Sequence, residues 1–121
     1  MLTSKQRIGN LAEDMACQYL LKQKMTLIQR NYRCRQGEID LIMLDAAQLV
    51  FVEVRSRRST KFGSGAETVD ARKQRKLIAT ASHYLQKYDA RSKQSSRFDV
   101  ISINTSASDA QILWIKDAFQ T

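Results

Sequence analysis

The sequence has no apolar run near the roughly 20 residues that a membrane-spanning helix requires. Its first ten residues, MLTSKQRIGN, carry no apolar core behind their positive charges, so they do not read as an export signal, and the expected location is the cytoplasm. Cysteine is scarce. Cys17 and Cys34 form no CxxC pair and fall in different expected elements, so they are read as two reduced thiols. Histidine is scarcer still: His83 is the only one and lies far from both cysteines, which leaves no zinc-ligand set. On a helix, His83 points away from the apolar stripe that contains Leu77, so a solvated ring is expected.

Acidic residues are outnumbered, 12 against 20 lysines and arginines, for a net charge of +8. The excess is concentrated. Arg55, Arg57, Arg58, Lys61, Arg72, Lys73, Arg75 and Lys76 lie between positions 55 and 76 with only Glu67 and Asp70 against them. Eight cations against two anions leave +6 in this segment, a footprint for polyanions. Composition does not separate DNA, RNA and acidic lipid headgroups as the partner.

A length of 121 residues fits one domain spanning 1–121. From Ser4 to about Lys22, Ile8, Leu11, Ala12, Met15, Ala16, Tyr19 and Leu20 recur at helical spacing, with Thr3 or Ser4 as N-cap. Met25–Tyr32 reads as a strand, and RCRQG as a turn ending at Gly37, where a positive φ costs little. Strands over roughly Glu38–Leu44 and Leu49–Arg55 follow. Residues from about 56 to 68 form a long, charged, aperiodic loop of the kind that is functional or mobile. Leu77, Ala81, Tyr84, Leu85 and Tyr88 place one stripe on a second helix from about Val69 to Tyr88. RFDVISI and QILWIKD are two further strands. The order α-β-β-β-α-β-β predicts an α/β fold with a mixed central sheet and the second helix as a crossover.

Three carboxylates interrupt the apolar strands GEIDLI and FVEVRSR, although acids are depleted in strands and costly to desolvate. Alternation puts Glu38, Asp40 and Ile42 on one face and Ile39, Leu41 and Met43 on the other; in the next strand Phe51, Glu53 and Arg55 share a face. If Asp45–Gln48 is a four-residue hairpin loop, Leu44 opposes Leu49, Asp40 opposes Glu53 and Glu38 opposes Arg55. Directly opposed residues have Cβ atoms about 4.5–5.5 Å apart, and like charges there repel. Glu38 and Arg55 relieve each other. Asp40 and Glu53 need a shared proton or a cation between them, and Mg²⁺ or Mn²⁺ suits carboxylate oxygens. The bland reading is two acids paired with nearby arginines on a solvated sheet face.

GEIDLI, LVFVEVR with Arg57 beyond it, a glycine-containing loop, TVDARKQRKLIATASHYL and RFDVISI together resemble the YraN family of small bacterial proteins. The resemblance runs from Gly9-Asn10-Leu11-Ala12-Glu13 to Asp99. It implies a three-layer restriction-endonuclease-like fold, of the Holliday-junction-resolvase branch. On that resemblance Asp40 and Glu53 match the two metal-binding acids of the PD-(D/E)xK core, and Arg55 stands where its lysine belongs. Glu13 matches a first-helix glutamate that joins the metal site or orients a ligand. Lys73 matches a lysine at the start of the second helix, and Glu38 is a family residue without an assigned role beyond pairing.

The resulting expectation is a nuclease that uses Mg²⁺ or Mn²⁺ to activate water against a phosphodiester of DNA, branched or otherwise structured. Asp40 and Glu53 hold the ion, Glu13 assists, and Arg55 stabilises the charge of the transition state. Arg57, Arg58, Lys61, Arg72, Lys73 and Lys76 hold the nucleic acid. Arginine retains the charge of the expected lysine but cannot accept a proton. The alternative is therefore a non-catalytic nucleic-acid-binding module on the same scaffold; an adaptor for an acidic protein is a third reading. Resolvases act as two-fold dimers because a four-way junction has two equivalent cuts, yet nothing in this chain marks a dimer face.

Overall fold

Ile39, Leu41, Ile42 and Met43 are all fully buried, as are Val50, Phe51 and Val52 in the next strand. Strands buried on both faces need a covering layer on each side. The computed structural model, which describes residues 3–57, 69–88, 95–104 and 111–120, supplies those layers with two helices. Its elements are α1 (Ser4–Lys22), β1 (Thr26–Cys34), β2 (Gly37–Asp45), β3 (Gln48–Arg57), α2 (Ala71–Tyr88), β4 (Ser96–Asn104) and β5 (Gln111–Phe119).

The sheet order is β1-β2-β3-β4-β5. All neighbours are antiparallel except β3 and β4, which run parallel and are joined through α2. On one face Ala12, Ala16, Cys17 and Leu20 of α1 pack on Leu41, Met43, Val50, Val52, Ile101 and Ile103. On the other, Leu77, Ala81 and Tyr84 of α2 pack on Ile39, Ile42, Phe51, Phe98 and Val100. The three-layer α/β order expected from the sequence is the one observed. No helix among the described residues is long and apolar enough to cross a membrane.

Local chemistry fixes the helix starts. Thr3 accepts from the Gln6 amide at 3.1 Å and donates its own amide to Gln6 Oε1 at 2.9 Å, a capping box. Asp70 caps α2 by accepting from the Lys73 amide at 2.8 Å, and the Gln74 side chain donates to the Val69 carbonyl at 2.7 Å. Gly37 has φ +155°, a conformation that side chains rarely adopt, and a Cβ there would lie 3.1 Å from Thr80 Oγ1, so glycine suits the close approach of the β1–β2 turn to α2.

Some expectations need correction. The β2–β3 turn is two residues, Ala46 and Ala47, because Asp45 pairs with Gln48; the register is nevertheless the expected one, through Leu44–Leu49 to Leu41–Val52. β3 continues to Arg57, so Ser56 and Arg57 are strand rather than loop, and residues 58–68 lie outside the described residues. Tyr88, placed on the buried stripe of α2, is 56% exposed, its ring lying against those of Tyr84 and Tyr32 at the margin of the core. His83 is exposed as expected, but its Nδ1 is hydrogen-bonded to the hydroxyl of buried Tyr32. Both cysteines are free thiols.

Candidate active site

The site forms where the β1–β2 hairpin turns over. Residues two apart in a regular strand share a face. Here Arg30 of β1 reaches α1, pairing with Asp14 at 2.7 Å and Glu13 at 3.5 Å, whereas Tyr32 is buried in the α2-side core. In β2, Leu41 belongs to the α1-side core and Ile39 to the α2-side core. The pairs Arg30–Leu41 and Tyr32–Ile39 bracket Asn31 and Asp40, so both strands reverse their faces at these two residues. Asn31 makes this possible with φ +54°, a left-handed conformation that asparagine tolerates better than most residues. The strict alternation expected for Glu38, Asp40 and Ile42 therefore fails at Asp40.

The turn-over gathers acids. One carboxylate oxygen from each of Glu13, Glu38 and Asp40 lies within 4.8 Å of the others. With its amide nitrogen facing them, Asn31 donates to Glu13 Oε1 at 3.1 Å and to Glu38 Oε1 at 3.2 Å. Across the sheet, Asp40 and Glu53 are the next residues beyond the last β2–β3 pair. Asp40 Oδ2 accepts from the Val54 amide at 2.8 Å, and Glu53 stands close enough for its charge to act on the Asp40 carboxyl. Two carboxylates so placed repel unless one takes a proton or a cation sits between them.

Burial, then the charge of Glu53, pushes the Asp40 carboxyl up to about 8 against the opposing pull of the Val54 N–H; Glu38 adds a smaller push. Burial, then the charge of Asp40, raises Glu13 above the usual carboxylate range, with Arg30 opposing. Three acids thus crowd one spot, with Glu53 beside Asp40, and Arg30, Arg33 and Lys73 meet them at the margins. The donor atoms are all hard carboxylate oxygens and the crowding is relieved by positive charge, so the residues fit Mg²⁺ or Mn²⁺.

Cations surround this acid centre unevenly. Glu38 was expected to meet Arg55 across β3; its cation is Arg33, directly opposite in β1, at 2.6 Å. The cause is the turn-over, which aims Glu38 at β1 and α1. Arg55 is half-buried two residues beyond Glu53, beside Ser102 in the parallel pair with β4, and Arg57 is half-buried beside Asn104. Lys73 reaches in from α2 and puts Nζ 3.5 Å from Glu53 Oε2. Arg72, Lys73 and Lys76 line a shallow depression with Asp70 at the start of α2. Arg58 and Lys61 lie outside the described residues.

Sequence reasoning missed Asn31. Its signal was available: asparagine is depleted in strands, and QRNYR puts one in the middle of β1. Glu38 was singled out but tied to the wrong cation.

Residues 12–103 match the profile of the uncharacterised protein family UPF0102. A UPF0102 protein of Coxiella burnetii (strain RSA 331) is 50% identical over 120 residues, covering 99% of this chain and 98% of the relative. One from Nitrosococcus oceani is 46% identical over 112 residues, covering 93% and 90%. A third, from Legionella pneumophila (strain Philadelphia 1), is 46% identical over 114 residues, covering 94% and 95%.

Proposed function

The chain belongs to the uncharacterised protein family UPF0102, the YraN family of the sequence resemblance, and from that premise we propose that it is a divalent-cation-dependent nuclease acting on DNA. The observation that carries this reading is the cluster of Glu13, Glu38 and Asp40, whose carboxylate oxygens lie within 4.8 Å of one another, with Glu53 beside Asp40. Such a cluster has no structural advantage by itself, since each buried acid raises the cost of ionising its neighbours.

Asp40 and Glu53 would hold Mg²⁺ or Mn²⁺, with Glu13 beside them. When bound, the cation supplies charge neutralisation at the phosphodiester and lowers the pKa of water. The chain's own groups do the rest. Val54 N–H fixes the orientation of Asp40, and Arg30 fixes that of Glu13. Asn31 ties Glu13 to Glu38 so that helix and strand act as one unit. Water oxygen bonds to phosphorus as the bond to one sugar oxygen breaks; the water proton passes to a carboxylate of the cluster, and the leaving oxygen takes one from solvent. Arg55, beyond Glu53 on the same side of β3, adds positive charge at the phosphate.

The nucleic acid lies on the basic segment, with Arg72 and Lys76 at the start of α2 contacting backbone phosphates. DNA as the substrate makes the cytoplasm the working compartment. A non-catalytic binding module is the second reading, favoured by arginine at the position where the resemblance expects lysine. The two separate in one assay. Four-way-junction and linear duplex DNA are incubated with the full chain and Mn²⁺. Cleavage that disappears in Asp40→Asn, with DNA affinity retained, supports the nuclease; retained affinity without cleavage in the wild type supports the module.

A further inference from the structure

Lys73 and Glu53 form an ion pair of unequal exposure: the lysine side chain is 44% exposed and the glutamate 12%. The carboxylate belongs to the sheet layer and the ammonium stands at its solvent edge. We infer that Lys73 of α2 is the ammonium of the site, the positive charge beside both the cation and the bound phosphodiester, the position that the sequence pattern gives to Arg55. This rests on the nuclease reading for its substrate, but not for its placement.

Three observations carry it. First, Lys73 is delivered from a fixed platform: its amide is held by the Asp70 cap at 2.8 Å, and the entry to the helix is pinned by Gln74 to the Val69 carbonyl at 2.7 Å. Second, its partner Glu53 is the residue next beyond the Leu41–Val52 pair, as Asp40 is on β2, so the ammonium meets one of the two acids that would hold the ion rather than an outlying acid. Third, Arg72 and Lys76 line the same depression, so a backbone phosphate entering there meets Lys73 together with two further cations.

The chemistry suits lysine. Its ammonium is a compact charge with three rotatable donors, whereas a guanidinium presents a fixed, larger fork. Lys73 transfers no proton in this role. In the free protein it balances Glu53. With a divalent cation held by Asp40 and Glu53, Lys73 would no longer be needed to balance Glu53, and its ammonium would face the non-bridging phosphate oxygens, where negative charge grows in the transition state.

The exchange of partners gives a signed test that does not depend on turnover. Lysine and the divalent ion compete for the same negative field, so removing the lysine strengthens ion binding. Mn²⁺ is titrated calorimetrically into the full-length wild type, Lys73→Met, Lys73→Arg and the distant charge control Lys87→Met. In parallel, single-turnover cleavage of a four-way junction is followed with Mn²⁺. Lys73→Met is expected to bind Mn²⁺ about three- to tenfold more tightly while cleaving about 100-fold more slowly. Lys73→Arg keeps the wild-type Mn²⁺ affinity with slowed cleavage, and Lys87→Met changes neither. Lys73→Gln replaces the methionine variant if that protein melts early.

Unchanged or weaker Mn²⁺ affinity in a folded Lys73→Met protein overturns the inference, as does wild-type cleavage in that variant; in the latter case the nuclease reading stands. Wild-type protein that never cleaves, with tighter Mn²⁺ binding in Lys73→Met, removes turnover and leaves Lys73 in place. A wild type that takes up no Mn²⁺ removes both.

Discussion

Asp40 accepts the Val54 amide of the neighbouring strand at 2.8 Å and meets the Glu53 carboxyl beside it. One acid is thus fastened by the backbone of β3 and pressed against another acid from the same strand. A backbone N–H stabilises the ionised form, while burial and Glu53 favour the protonated one, and the latter win, pushing the group up to about 8.

Stability should therefore fall with rising pH. The unfolded chain releases the Asp40 proton near the ordinary 3.8, whereas the folded protein keeps it to about 8. Between those values the folded state binds more protons, so stability contributed by the protonated form is full below about 4 and is lost as pH rises through 8. Asparagine is nearly isosteric and can still accept from Val54. Asp40→Asn should raise the melting temperature at pH 8.5 by about 5 °C and change it little at pH 4. Melting curves across that range check this, and parallel profiles for the two proteins would count against it.

Asn31 combines a left-handed backbone with two hydrogen bonds to acids. Asn31→Gly keeps the conformation and loses the bonds; Asn31→Asp adds a further carboxylate to the cluster and turns two attractions into repulsions. Denaturant unfolding at pH 7 should show Asn31→Asp destabilised by about 1–3 kcal/mol, with part recovered at pH 5 as the acids protonate. Asn31→Gly should lose less. A neutral Asn31→Asp variant would mean the amide does not join Glu13 to Glu38.

DNA affinity should be electrostatic. The logarithm of the binding constant should fall linearly with the logarithm of salt concentration, because phosphate neutralisation releases counterions. Replacing Arg72 and Lys76 together by alanine should flatten that slope by about 2 and weaken binding to junction and linear duplex alike. Neutralising Arg57, Arg58 and Lys61 should act in the same direction. Anisotropy titrations at several salt concentrations give the slopes, and an unaltered slope would move the contact surface elsewhere.

The sequence was most legible where periodicity and turn chemistry agreed. The apolar spacing from Ile8 to Leu20 predicts α1, and the hairpin register brings Leu41 opposite Val52 as the pattern requires. That register held although the turn is Ala46-Ala47, because a four-residue loop closed by Leu44 and Leu49 and a two-residue turn closed by Asp45 and Gln48 give the same pairing. What alternation cannot express is a strand pair that reverses its faces. At Asn31 and Asp40 the period of two breaks, so Glu38 joins Glu13 and Arg33 instead of Arg55. Lys73 was named from the sequence as a nucleic-acid contact, but its pairing with Glu53 was hidden, since the approach of α2 to Glu53 is a tertiary contact made across residues 54–72, with no local signal in either element.

Uptake of a divalent ion at Asp40 and Glu53 is the claim on which the rest depends, and a calorimetric Mn²⁺ titration at pH 7 in two buffers of different ionisation heat tests it most directly. Because the Asp40 carboxyl is still protonated at that pH, binding should release about one proton per ion, and the apparent affinity should rise about tenfold per pH unit towards 8. Asp40→Asn should lose both the uptake and the proton release while remaining folded. Mn²⁺ binding to Asp40→Asn as tightly as to the wild type, or no binding to the wild type, would contradict the account.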